Sequence, residues 1–160
     1  MKFLFLSLSI LILASGCDRN SGCNIGLNLT ADEQKLESDI QEIDNFLSEN
    51  NIEAQTHPTG LRYIINDFGS GANPEICDII TFDFVGRMLS DSTIVEQSDA
   101  SVRFGLFRLI EGFKIGIPLI KEGGSITLFI PSEYGYEEGG PGGVPSTTNL
   151  IFDVDLVNVE

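Results

Sequence analysis

The feature that most narrows the fold of this chain is a change of hydrophobic period near Leu61. Upstream, Leu36, Ile40, Ile43 and Leu47 recur at helical spacing and make one apolar stripe. Thr30 followed by Glu33 is a capping-box pattern, so an amphipathic helix is expected from residue 31 to about residue 49. Downstream, short β-like runs alternate with Gly, Pro, Asp and Asn, which places strands at residues 61–66, 79–87, 92–97, 102–106, 125–131 and 149–159. Residues 111–120 are apolar on one side and long enough for only two or three helical turns, loosened at Pro118 and ended by Gly123-Gly124. The expected class is therefore α+β: a curled antiparallel sheet wrapped on one short central helix and preceded by an N-terminal amphipathic helix.

The front of the chain reads as an export signal. Met1 and Lys2 precede an almost unbroken apolar run, residues 3–14, which is too short for the ~20 residues of a membrane-spanning helix and suits the apolar region of a signal peptide. Leu13-Ala14-Ser15-Gly16-Cys17 resembles the bacterial lipobox, with its leucine one position further from the cysteine than usual. That resemblance implies cleavage before Cys17 and a lipid-anchored mature N-terminus. The organisation expected is a signal peptide at 1–16, a polar tether at 17–29, a helix and linker at 30–57 and the sheet domain at 58–160. Its place would be the bacterial cell envelope, anchored to inner or outer membrane and facing the periplasm or the cell surface. Cys23 and Cys77 are the other thiols, and their spacing does not decide whether they pair.

With 24 acidic against nine basic residues the chain carries a formal charge of −15, which argues against a nucleic-acid partner. The predicted helix holds seven acids and one Lys, a strongly negative outer face. Such a helix either packs its stripe on a neighbouring element or serves docking, including a homodimer. Catalytic sets built on acid/base, nucleophile or metal chemistry are missing. The single His57 sits in a Gln-Thr-His-Pro-Thr-Gly turn, no Cys/His group has zinc spacing, and the glycine-rich 139–143 lacks the following Lys of a phosphate loop. No metal and no cofactor are expected.

What remains is a set of aromatic residues near turn glycines: Phe82, Phe84, Phe104, Phe107, Phe113, Tyr134, Tyr136 and Phe152. Core packing is the expected role of Phe82, Phe104 and Phe107. Taken in order, Phe84-Val85-Gly86-Arg87-Met88-Leu89, Phe104 to Phe113, Ile130-Pro131-Ser132-Glu133-Tyr134-Gly135-Tyr136, Val144-Pro145 and Asn149 to Val154 resemble the successive signature blocks of the FK506-binding (FKBP) prolyl isomerases over about a hundred residues. The resemblance implies a pocket for a prolyl ring. Its floor would be Phe113, where many members have Trp; its walls Phe84, Tyr136 and Phe152; its rim Arg108, Leu109 and Ile110; and its flap Val144. The Ile110 N–H and the Tyr136 hydroxyl would each bond a substrate carbonyl, and the partners would be proline-containing polypeptides or partly folded exported proteins.

Two departures from the family pattern stand out. The strand after the first hairpin carries Val95-Glu96 where many members have a Phe that lines the pocket and an Asp that faces the twisting carbonyl, so Val95 would supply less wall and Glu96 would carry its charge one methylene further out; Phe84 replaces a Tyr whose hydroxyl helps orient that acid. Three readings stay open on the sequence: a working isomerase, a module that binds prolyl segments with little turnover, and a lipoprotein whose helix assembles a complex.

Overall fold

In the computed structural model, which describes residues 25–136 and 139–160, the elements in chain order are α1 (Glu33–Glu49), β1 (Gln55–Thr56), β2 (Arg62–Asp67), β3 (Ile79–Met88), β4 (Ile94–Gln97), β5 (Val102–Gly105), α2 (Glu111–Gly116), β6 (Ser125–Ile130) and β7 (Leu150–Val159). The expected signal peptide and the expected acylation site at Cys17, together with Cys23, lie outside the described residues. Among the described residues the strands form one antiparallel sheet in the order β1-β2-β6-β7-β3-β4. β5 pairs with the Ile79–Phe82 half of β3 and β4 with the half around Val85–Arg87, so the two share one edge of that strand.

One face of the sheet curls over α2. Leu128, Ile130, Leu150, Phe152, Val154 and Leu156 alternate along β6 and β7 and join Phe113, Ile115 and Ile117 in a single core. The helix lies very close to β6. A Cβ on Gly112 would come 2.6 Å from Ile130 and one on Gly116 2.4 Å from Leu128, so two glycines four apart let the backbone settle on the strand. The α-helix stops at Gly116 and residues 117–119 continue as a 3-10 turn containing Pro118, which has no N–H for another helical bond.

The opposite face is covered at one end by α1. Ile43 and Leu47 pack on Leu89, Phe129 and Ile151, with the rings of Phe46 and Phe129 6.4 Å apart. The apolar stripe of α1 is thus buried against its own sheet, and a homodimer through this helix would have to use its acidic outer face. The helix starts two residues later than expected. Asp32, not Thr30, is its N-cap, accepting from the N–H groups of Gln34 (3.0 Å) and Lys35 (3.1 Å), while the Thr30 hydroxyl donates to Asn28 (2.7 Å). Strand β1 went unforeseen because it is two residues long and fully exposed.

A buried polar cluster fixes the helix in place. Asp39, 5% exposed, accepts from the Ser132 N–H (3.1 Å), the Ser132 hydroxyl (2.7 Å) and the Lys35 ammonium (3.0 Å), which also reaches Ser132 Oγ. Asn149 accepts from the same Ser132 N–H (2.9 Å) and donates to Glu42 of α1 (2.9 Å). Asp39→Ala would leave the Ser132 hydroxyl and the ammonium without their common acceptor and should lower unfolding stability by roughly 2–4 kcal/mol. In a urea titration Glu37→Ala, on the exposed side of α1, should stay within about 0.5 kcal/mol of the parent, and equal midpoints for the two variants would refute the anchoring role.

Candidate functional site

Four phenylalanines meet where β3, β7 and α2 converge. The Phe113 ring stands edge-on to Phe152, with centroids 4.8 Å apart at 83°, and edge-on to Phe82 (5.8 Å, 85°) and Phe84 (6.4 Å, 74°). These are the spacings and tilts at which aromatic quadrupoles attract. Room for Phe152 comes from its neighbour. Gly86 lies directly opposite Phe152 on β3, and a Cβ there would sit 2.4 Å from the Phe152 ring.

The same row continues onto β4, where Gly86 pairs with Glu96, so Phe152, Gly86 and Glu96 share one face of the sheet. The register shifts between Gly86 and Arg87, leaving Val95 as the extra residue of a bulge between Glu96 and Ile94. Bulges of this kind re-aim the neighbouring side chain. Glu96 is turned to the pocket, while Val95 packs against the core.

The result is a pocket of about 220 Å³ lined by Phe82, Phe84, Glu96, Phe104, Arg108, Leu109, Ile110, Phe113, Tyr136 and Phe152. Eight of the ten residues assigned to the site from sequence are brought together there. Val95 and Val144 are not: Val95 is the bulged residue, and Val144 is buried to 6% exposure in the core. Phe82 and Phe104 line the pocket although both were expected to serve the core alone. Phe82 does both, being 1% exposed, whereas Phe104 and Phe107 are 48% and 37% exposed, because β5 is an edge strand and the turn after it buries Leu106 instead. Core burial is therefore corrected for these two.

The polar groups of the pocket are few. The Tyr136 hydroxyl donates to Glu96 Oε2 at 3.0 Å, so the acid is oriented from the loop after β6 rather than from the Phe84 position. Burial, then the charge of Glu96, holds the Tyr136 phenol neutral well above the usual phenol range. At the rim, the Ile110 carbonyl accepts from the N–H groups of Phe113 (3.0 Å) and Lys114 (3.2 Å), while among the described residues the Ile110 N–H has no acceptor. A larger cavity, about 360 Å³, lies between residues 28–35 and the loops at 132–133 and 146–147. Its charged groups are already engaged, Lys35 with Asp39 and Glu133 with the Asp32 N–H (2.9 Å), so it offers no comparable site.

Residues 71–157 match the family model for the FKBP-type peptidyl-prolyl cis-trans isomerases. The chain is 38% identical over 120 residues to a probable FKBP-type peptidyl-prolyl cis-trans isomerase FkpA of Neisseria meningitidis, which covers 71% of this chain and 44% of that protein. Against FkpA of Escherichia coli the identity is 33% over 110 residues, 66% of this chain and 40% of that one. The crystal structure of FkpA from Escherichia coli matches with a TM-score of 0.67 at 29% identity, covering 79% of this chain and 63% of the other. Over these alignments the chain spans less than half the length of either curated relative.

Gly86→Ala tests how the pocket is held. The added methyl meets the Phe152 ring, and the variant should lose roughly 1–3 kcal/mol of stability with an altered near-UV aromatic signal. Gly26→Ala, with nothing within 4 Å of the new methyl, should be silent, and an unchanged Gly86→Ala would show that Phe152 does not need the space.

Proposed function

The chain belongs to the FKBP-type peptidyl-prolyl cis-trans isomerase family, and from that premise we propose that its aromatic pocket binds a prolyl segment and speeds rotation about the preceding amide. The observation that carries the reading is a backbone donor without an acceptor among the described residues, the Ile110 N–H, at the rim of a pocket floored by phenylalanines. Rotation makes and breaks no bond. It needs passage over a barrier of ~18–20 kcal/mol, which takes ~10–100 s unaided. A planar amide carries its charge separation on the carbonyl oxygen, and twisting removes that resonance. A pocket that strips water from the amide therefore disfavours the planar form more than the twisted one.

The residues divide this work. Phe113, Phe152 and Phe82 receive the ring, with Phe84 as the wall beside them. The Ile110 N–H donates to a carbonyl of the segment and fixes it in register. Glu96, held by Tyr136, places a negative charge where the dipolar planar amide is penalised. No metal or cofactor takes part in this scheme. In a protease-coupled or refolding assay the purified protein should isomerise prolyl peptides above background, and Phe113→Ala should lower kcat/KM at least about tenfold, equivalent to 1.4 kcal/mol of lost transition-state binding. Turnover at the background rate, with prolyl peptides still bound, would overturn the enzyme reading in favour of a binding module.

We further propose that the protein acts on exported polypeptides from a lipid anchor at Cys17. The apolar run at residues 3–14 and the small residues before Cys17 support this, and so does Cys77, which is disulfide-bonded as suits an oxidising compartment. Among the described residues no helix is long and apolar enough to cross a membrane. Attachment would then rest on the acyl chains, each buried methylene adding ~0.8 kcal/mol. Cells fed a clickable fatty acid should label the protein, and Cys17→Ser should abolish the label; a labelled Cys17→Ser variant, or an unlabelled parent, would sink the anchor.

A further inference from the structure

The segment before α1 is tied to the body of the domain at two points. The Asn28 N–H donates to Glu111 Oε2 at 3.1 Å, and the other oxygen of that carboxylate accepts from the Lys114 ammonium. Glu111 is only 8% exposed, so a buried acid at the first residue of α2 takes one of its partners from a distant part of the chain. Four residues after Asn28, the Asp32 N–H donates to Glu133 Oε2 at 2.9 Å. Between the two ties the Thr30 hydroxyl donates to Asn28 Oδ1 (2.7 Å) and Ala31 packs against the main core. The tether expected over residues 17–29 is therefore fixed at Asn28, just before its expected end.

Both ties end beside the polar groups of the pocket. Glu111 directly follows Ile110, whose N–H lies at the rim, and Glu133 is three residues before Tyr136, which holds Glu96. The first of these elements is weak by itself. α2 is six residues long, its N-cap Ile110 makes no side-chain capping bond, and a helix of under two turns does not hold its shape alone in water. A charge-assisted bond from outside the helix fixes Glu111 and, one residue away, the direction of the Ile110 N–H. We propose that residues 28–32 are a strap joining α2 to the turn at Ser132–Tyr134, and that Glu111 is a positioning residue that aims the Ile110 N–H at the substrate through the Asn28 bond. The assignment rests on the prolyl-pocket reading above. A bond that sets register is made alike to the planar and the twisted amide. Misaiming it weakens both states equally, which raises KM and leaves kcat in place.

In the full chain, Asn28→Pro removes the donor and alters no residue of the pocket. With a prolyl peptide in the protease-coupled assay, KM should rise about three- to tenfold, the loss of part of one hydrogen bond, while kcat stays within about twofold. Gly26→Pro puts the same ring where the N–H has no acceptor among the described residues, and both constants should match the parent. Glu111→Ala should raise KM at least as much as Asn28→Pro, and adding Asn28→Pro to it should change nothing further, because the bond is already gone. The Ile110 amide resonance should move in Asn28→Pro and Glu111→Ala but not in Gly26→Pro. A parental KM in Asn28→Pro, additive effects in the double variant, or a fall in kcat matching the rise in KM overturns the strap while an active parent leaves the pocket reading standing. A parent that neither turns over nor binds prolyl peptides defeats the pocket reading itself, and the positioning role falls with it.

Discussion

The missing side chain at Gly86 is the constraint on which the pocket depends. Gly86 stands between Phe152 on β7 and Glu96 on β4 in one row across the sheet. Any Cβ there would occupy the volume of the Phe152 ring. With the gap kept open, Phe152 tilts into contact with Phe113, and that edge-on pair anchors Phe82 and Phe84 around it. The four aromatic rings carry no charge to organise them, so their arrangement is set by van der Waals exclusion, and interiors are dense enough to transmit a displacement of one methyl.

Helix α1 supports the same site from the far side of the sheet. It covers Phe129 and Ile151, which point away from the pocket, while their neighbours Leu128, Ile130 and Phe152 point toward it. Both faces of β6 and β7 are therefore packed at this end, and the strands cannot flex outward without exposing one apolar layer. The polar anchor lies at Ser132, held by Asp39 and Asn149 at the start of the turn that leads to Tyr136. A helix remote from the aromatic pocket thereby fixes the root of the loop that orients Glu96.

Much of this was legible in the sequence. The period change at Leu61 gave the α+β class, and the resemblance of the blocks from Phe84 to Phe152 to the FKBP pattern implied most of the pocket. What escaped had local causes. The runs Leu128-Phe129-Ile130 and Leu150-Ile151-Phe152 break the alternation of a one-faced strand, a mark of burial on both sides that points to α1 as a cover, yet strand propensity alone does not reveal it. Val95 was expected at the pocket wall because the family pattern places a pocket-lining residue just before the acid, and only the register of β3 with β4 shows that a bulge separates the roles of Val95 and Glu96. Phe104 and Phe107 look like core residues by composition. Their exposure follows from β5 lying at an edge, which is a property of the pairing pattern. Thr30 lost the cap to Asp32 because an aspartate immediately before the first helical residue offers a charged acceptor to two N–H groups at once.

The hydroxyl of Tyr136 carries one proton and can donate only once. Sequence reasoning gave that bond to a substrate carbonyl; in the structure Glu96 holds it at 3.0 Å. A bond to a carboxylate in a partly buried site is roughly twice as strong as one to a neutral carbonyl, so a bound amide does not win the proton from Glu96 on hydrogen-bond strength alone. On the proposed reading a substrate carbonyl is left with the Ile110 N–H as its donor, and Tyr136 acts through the position of the acid. This arrangement restores what Phe84, lacking a hydroxyl, does not supply. The acid is oriented from the loop instead of from the strand.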